Sequence, residues 1–162
     1  MRNYIKLSLA LVVFISMMSF SDRTTSSVRA TNKSSVAADT LTWKLLGDIK
    51  YVRKKHATYG EVEFPQVNMK LKMMQKKTVF MSGFIVPIDN KNYALSKNVF
   101  AACFFCGKSG PETIAGIKFK GATPKLKADT YVTLKGTFRY NETDVEDWIY
   151  HIEDAVIISQ SK

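Results

Sequence analysis

Apolar and polar side chains alternate most clearly between residues 131 and 140. The face that this pattern buries carries Val132, Leu134, Phe138 and Tyr140, and threonine, lysine and arginine occupy the other face. A period of two predicts a half-buried β-strand. Runs of β-branched, aromatic and other apolar residues predict further strands at 78–86, 93–96, 113–119 and 148–158.

Periodicity is weaker ahead of these strands. Residues 40–46 place a capping threonine before apolar residues at helical spacing, which predicts a short helix ending at Gly47. Weak alternation predicts edge strands at 49–52 and 61–64. Residues 67–74 fit a strand and a helix equally well, and the pattern leaves that choice open.

Two of the predicted strands carry a glycine near their middle, Gly83 and Gly136. Glycine weakens a strand, so this position is typical of a bulge or a sharp bend where a small barrel closes. We therefore predict a mainly β fold, a small OB-like barrel with a short N-terminal helix, and an open β-sandwich is the alternative. The core should contain Phe84, Val132, Leu134 and Phe138.

The N-terminus has the pattern of an export signal. Arg2 and Lys6 flank the start of an apolar run at 7–20 without acidic residues, and small residues favour cleavage before Asp22. The run is shorter than the ~20 residues of a membrane-spanning helix. No cysteine lies near it, so we expect an exported, periplasmic or envelope-associated protein and not a lipoprotein. Whether the signal is removed or kept as an anchor stays open.

We divide the chain into a signal peptide at 1–21, a disordered tether at 22–40 and one domain at 41–159. The tether is rich in serine, threonine and alanine and has no hydrophobic period. The formal net charge is +10, and two of these charges lie in the signal. Because the lysines are scattered, the charge favours solubility or association with a membrane surface, and we expect no nucleic-acid partner.

Cys103 and Cys106 are the only cysteines, and Gly107 follows them. Two thiolates at this spacing form half of a tetrahedral metal site, and the glycine lets the turn fold back so that backbone N–H groups point at the sulfur atoms. Zinc (Zn²⁺) is then the expected cofactor. A short disulfide, a redox pair that exchanges with other envelope proteins, and buried thiols without chemistry are the alternatives.

A complete metal site needs more ligands, and the candidates are His151, His56, Glu112 or groups of a partner protein. Each histidine also has an ordinary structural interpretation: His151 lies on a predicted strand, and His56 lies on the predicted surface. Glu112 follows Gly110 and Pro111, which predict a turn that holds its carboxylate near the cysteines. The chain has no phosphate-binding glycine loop, nucleophile elbow or His-Glu-x-x-His motif, so we predict no enzyme.

Three short motifs resemble a family of exported bacterial proteins known as domain of unknown function 3299 (DUF3299). They are Tyr93-Ala-Leu-Ser96, Cys103-Phe-Phe-Cys-Gly107 and Gly110-Pro111-Glu112. The resemblance extends over about residues 43–158. It implies an accessory role in the envelope beside a transporter, with a protein partner and a link to metals. Because of their places in the turns around the cysteines, we expect structural roles for Gly107 and Pro111. An OB-like module that binds a ligand or protein, with no chemistry at the cysteines, is the remaining alternative.

Overall fold

The structure of the protein is a computed structural model that describes residues 39–161. The predicted signal peptide and all but the end of the predicted tether lie outside these residues. Asp39 and Thr40, which the sequence places in the tether, form a short strand, β1 (Asp39–Thr40), parallel to a strand of the barrel. Within residues 39–161, each helix is too short or too polar to cross a lipid bilayer.

Five strands form a closed barrel: β4 (Thr78–Pro87), β5 (Tyr93–Ser96), β6 (Ile114–Phe119), β7 (Tyr131–Tyr140) and β8 (Tyr150–Gln160). They follow one another around the barrel as β4-β5-β6-β8-β7, and β7 pairs again with β4. β6 and β8 are parallel, and the other neighbours are antiparallel. The predicted OB-like barrel is therefore confirmed, and the open sandwich is wrong.

The two predicted glycines lie where β4 and β7 close the barrel. Gly83 pairs with Val132, and Gly136 pairs with Val79. A Cβ atom on Gly136 would lie only 2.6 Å from Ile152 Cγ2 and 2.7 Å from the carbonyl oxygen of the next residue. β8 is bulged at this point, so the strands approach too closely for a side chain. Both glycines lie inside strands of the closed barrel, and at Gly136 the close approach of β8 leaves no space for a side chain.

The barrel interior follows the alternation predicted from the sequence. Val132, Leu134 and Phe138 are fully buried, as expected. Phe84 was predicted in the core, and this is wrong. It lies on the outer face of β4, half-buried, with its ring edge-on to Tyr131 at 5.1 Å between centroids. The period of two requires this, because the neighbouring Gly83 and Ile85 point inward.

Two short helices cover the barrel. The first, α1 (Trp43–Leu46), begins after Thr42, whose hydroxyl oxygen accepts the backbone N–H of Leu45 at 3.2 Å, and ends at Gly47, as predicted. Tyr150 donates its buried hydroxyl to the Leu46 carbonyl oxygen at 2.7 Å and so joins α1 to β8. The ambiguous stretch is the second helix, α2 (Met69–Met74), which buries Leu71 and Met74.

β2 (Ile49–His56) and β3 (Gly60–Val67) form a hairpin that is a separate two-stranded sheet. Both strands are longer than the sequence predicts. Most of β2 is exposed, and only Phe64 and Val67 of β3 are buried. A sheet this exposed has few apolar positions to mark its ends, so the weak alternation located the strands and not their bounds.

Candidate functional site

The connection between β5 and β6 carries both cysteines. It consists of three 3₁₀ turns, Phe100–Ala102, Phe104–Cys106 and Pro111–Thr113. Both cysteines are free thiols, and Cys103 is buried while Cys106 is exposed. Cys106 Sγ lies 3.2 Å from the carbonyl oxygen of Phe100, to which it donates a weak hydrogen bond.

Gly107 ends the central turn in the left-handed region, at φ +65°. A residue with a Cβ atom is strained in that conformation, so glycine allows the chain to fold back as predicted. Its N–H donates to the Phe104 carbonyl oxygen at 2.8 Å, and the Cys106 N–H donates to the Cys103 carbonyl oxygen at 3.2 Å. These two donors are therefore directed at carbonyl oxygens and not at sulfur.

The other candidate metal ligands each have a different partner. His56 lies at the end of the hairpin, where its Nδ1 accepts the Thr58 N–H at 3.2 Å. Glu112 accepts the hydroxyl of Tyr51 at 2.9 Å. Among residues 39–161, no three His, Cys, Asp or Glu side chains are placed to share an ion. The zinc site remains a prediction.

His151 belongs to a charged network on the outside of the barrel. Its Nε2 lies 3.0 Å from Asp147 Oδ1, though without hydrogen-bond alignment. Arg139 contacts Asp147 Oδ2 at 3.1 Å and Glu153 Oε1 at 2.9 Å. Burial lowers the pKa of His151, Arg139 lowers it further, and Asp147 only partly offsets both effects. Burial opposes ionisation of Asp147, but Arg139 and His151 outweigh it and hold that carboxyl pKa below its usual value.

A cleft of about 330 Å³ opens between the hairpin and the barrel. It is lined by three parts of the chain that are far apart in sequence: Tyr51 and 62–65 of the hairpin, Phe104 and Pro111 of the β5–β6 connection, and the β7–β8 loop. In OB-like barrels, the loop between the fourth and fifth barrel strands is a usual part of the ligand site. The β7–β8 loop has that position here.

The walls of the cleft are apolar and acidic. Phe64, Phe104 and Trp148 contribute aromatic rings, and none of the lysine, arginine and histidine residues between 39 and 161 lines the cleft. The carboxylates that line it are Glu63, Asp144, Glu146 and Asp147. These are four of the 14 acidic residues in a chain with a net charge of +10. The cleft therefore has the opposite charge to the molecule as a whole.

Two tyrosines of the hairpin contact carboxylates of the barrel loops. Tyr51 donates its hydroxyl to Glu112, and Tyr59 donates its hydroxyl to Glu146. Burial raises the pKa of Tyr51 well above its usual range, and the Glu112 carboxylate raises it further. The hydrogen bond to Glu146 is the main cause of the raised pKa of Tyr59. Both phenols therefore keep the proton with which they donate at ordinary pH.

Sequence reasoning did not find this cleft. It predicted a metal or redox site at the cysteines. Of the candidate site residues that it named there, only Pro111 lines the cleft. The signal that was present is the run Asp144-Val-Glu-Asp-Trp148, which concentrates acidic charge beside an aromatic ring in a basic chain. The hairpin wall has no comparable local signal.

No protein-family model and no curated protein matches the sequence. Among solved structures, the crystal structure of a DUF3299 family protein from Pseudomonas aeruginosa, determined at 2.45 Å resolution, is similar to this chain. The match has a TM-score of 0.47 and 13% sequence identity, and it covers 77% of this chain and 95% of that chain. DUF3299 is also the family that the cysteine and Gly-Pro-Glu motifs resemble.

Proposed function

We propose that this chain is a non-enzymatic exported protein of the cell envelope whose OB-like barrel binds a partner in the cleft beside the β7–β8 loop. The observation that carries the proposal is the cleft itself, which combines aromatic walls with several carboxylates. Ligand sites are typically concave and mostly apolar, with a few polar groups that orient the ligand. The export pattern around Arg2 and Lys6 supports the envelope as the compartment.

Site-specific photo-crosslinking tests this function. A photoreactive amino acid replaces Val145, which lines the cleft, and the full chain is produced in a bacterium that exports it. We expect a crosslinked adduct of one defined mass. The matched control carries the same amino acid at Ile158, an exposed position of β8 that does not line the cleft, and should give no adduct.

Cys106→Ser separates this function from chemistry at the cysteines. The Cys106 side chain is exposed and does not line the cleft, so the adduct from position 145 should persist in this variant. Equal adducts from positions 145 and 158, or none from position 145, would contradict the proposal.

A second candidate function is a metal or thiol–disulfide site at Cys103 and Cys106. Two free thiols, one of them exposed, in a turn that Gly107 folds back, favour it. Any further ligands would come from a partner protein, as would the thiol with which the pair exchanges. Elemental analysis of the reduced full chain, isolated from the exporting bacterium together with the proteins bound to it, tests the metal, and this candidate predicts about one equivalent of zinc, lost in Cys106→Ser. If the unsubstituted chain holds less than about a tenth of an equivalent of zinc, the metal site is ruled out.

A further inference from the structure

The cleft contains an unpaired strand edge. β3 pairs with β2 along one edge, and no other strand within residues 39–161 pairs with it. The Val67 N–H donates to Glu142 Oε1 of the β7–β8 loop at 2.8 Å, so this second edge faces the loop. The backbone N–H and carbonyl groups of successive residues point to opposite edges of a strand. Those of Glu63 and Pro65 therefore point to the same edge of β3 as those of Val67. Glu63 offers an N–H and a carbonyl oxygen there, and Pro65 offers a carbonyl oxygen.

The opposite wall carries negative charge that the described part of the chain does not neutralise. Among residues 39–161, no basic side chain forms an ion pair with Asp144 or Glu146. Glu63 contacts Arg53 at 3.6 Å, but both side chains are more than 60% exposed, so that pair is weak. The cleft therefore favours a ligand that brings positive charge.

The carboxylates of the cleft do not converge on one point. No three of them are placed to hold one metal ion within the described residues. They suit several cationic groups spaced along a chain better than one small cation. Phe64 on the β3 wall, Trp148 on the loop wall and Phe104 between them provide apolar surface for side chains that alternate with the cationic ones.

We propose that the cleft binds a short extended segment of a partner protein, in which basic and apolar side chains alternate and whose backbone adds a strand to the free edge of β3. This rests on the proposed function and names the class of its ligand. Strand addition supplies backbone hydrogen bonds, and alternate side chains supply specificity. Lysine or arginine faces Asp144 and Glu146, and the apolar side chains contact the aromatic rings. Since Pro65 has no N–H, the pairing is confined to a few residues around Glu63.

Fluorescence anisotropy with three synthetic peptides tests this ligand class. The first alternates lysine and valine over about nine residues, roughly 30 Å when extended. The second replaces lysine by glutamate, and the third is the lysine peptide with N-methyl groups on the amides of one edge. We expect the full chain to bind the first peptide and to bind the other two at least about tenfold more weakly. Binding of the first should also weaken as salt rises from about 0.05 M to about 0.5 M.

Amide substitutions in the protein test the role of the carboxylates. The double variant Asp144→Asn, Glu146→Gln keeps oxygens that accept the Glu146 N–H and the Tyr59 hydroxyl, so the loop keeps its internal bonds. It should bind the lysine peptide at least about threefold more weakly. Glu63→Gln removes a carboxylate from the β3 wall and should also weaken binding of the lysine peptide. Because this variant leaves the β7–β8 loop unchanged, it tests the carboxylates independently of the folding of that loop. Asp39→Asn removes an exposed carboxylate outside the cleft and should leave binding unchanged.

The proposal is overturned if the glutamate peptide or the N-methylated peptide binds as tightly as the lysine peptide. The proposal is also overturned if the double variant binds the lysine peptide as tightly as Asp39→Asn does. These failures are distinct from a failure of the proposed function. If position 145 gives an adduct but the protein shows no preference for the lysine peptide, only the proposed ligand class is wrong. Absence of the adduct together with absence of peptide binding removes the cleft as a binding site.

Discussion

At the scale of single residues, Gly136 is a position where the fold leaves no space for a side chain. Gly136→Val would place a branched side chain against Ile152 and the backbone of β8. Backbone atoms of a closed barrel cannot move away cheaply, so we expect a loss of about 1–3 kcal/mol in the free energy of unfolding. Urea denaturation of the purified protein measures it.

The neighbouring Lys135→Val is the matched control for Gly136→Val. Lys135 is exposed on the same strand, so the change places the same branched side chain on the outer face of the barrel, away from the Ile152 side chain and the Glu153 carbonyl oxygen that crowd Gly136. Its effect should stay within about 0.5 kcal/mol. Equal stability of the two variants would show that close approach does not explain the glycine.

His151 gives stability a dependence on pH. Its pKa is lowered mainly by burial, so the unfolded chain takes up a proton at about pH 6.5 while the folded imidazole stays neutral until a lower pH. In that window the unfolded state binds more protons, and stability falls as the pH falls. His151→Gln should flatten the dependence of the urea midpoint on pH between about 7.5 and 5. The lowered pKa of Asp147 acts below this window. Equal slopes in the two proteins would contradict the explanation.

At the scale of elements, the hairpin is joined to the barrel by few polar contacts. Tyr51→Phe removes the hydroxyl that bonds Glu112 and leaves the ring in place. One such bond contributes about 0.5–1.5 kcal/mol, so the hairpin should open more often while the barrel is unaffected. Amide hydrogen exchange should speed up about two- to tenfold in β2 and β3 and stay constant in β4–β8.

Tyr131→Phe is the control for the hairpin. Tyr131 lies on β7, and its hydroxyl has no hydrogen bond within the described residues, so exchange in β2 and β3 should not change. If Tyr51→Phe also left exchange in the hairpin unchanged, the tyrosine–carboxylate bond would have no part in holding that element.

At the scale of the whole molecule, closure between β4 and β7 should make the barrel one cooperative unit. The β4–β7 pairing runs from Thr78 to Phe84 without a register shift, so neither strand is left at an edge. We expect the amides of this pairing to exchange only by global unfolding, and those of the hairpin by local opening. Exchange of the β4 and β7 amides at the rate of the hairpin would mean that the barrel opens there.

Local pattern was sufficient to determine several parts of this protein. The sequence predicted β5 and β7 with their observed bounds, and it located β4, β6 and β8 to within two residues. Most of these strands have a buried face and a more exposed face, so apolar and polar side chains alternate along them with a period of two. Threonine at the start of α1 and glycine after it are equally local signals. The central glycines favoured a closed barrel because a glycine inside a strand often marks a bulge or a sharp bend at a barrel corner.

Only the tertiary structure decided which residues meet in a site. The walls of the cleft come from β3 and the β7–β8 loop, which are about 80 residues apart, and the cysteine connection supplies Phe104 between them. The same holds for His151, a candidate metal ligand in the sequence, whose position beside Asp147 and Arg139 no local pattern indicated. A local pattern reports the burial of one segment but not the identity of its neighbour, because contacts between distant segments depend on the register and curvature of the closed barrel.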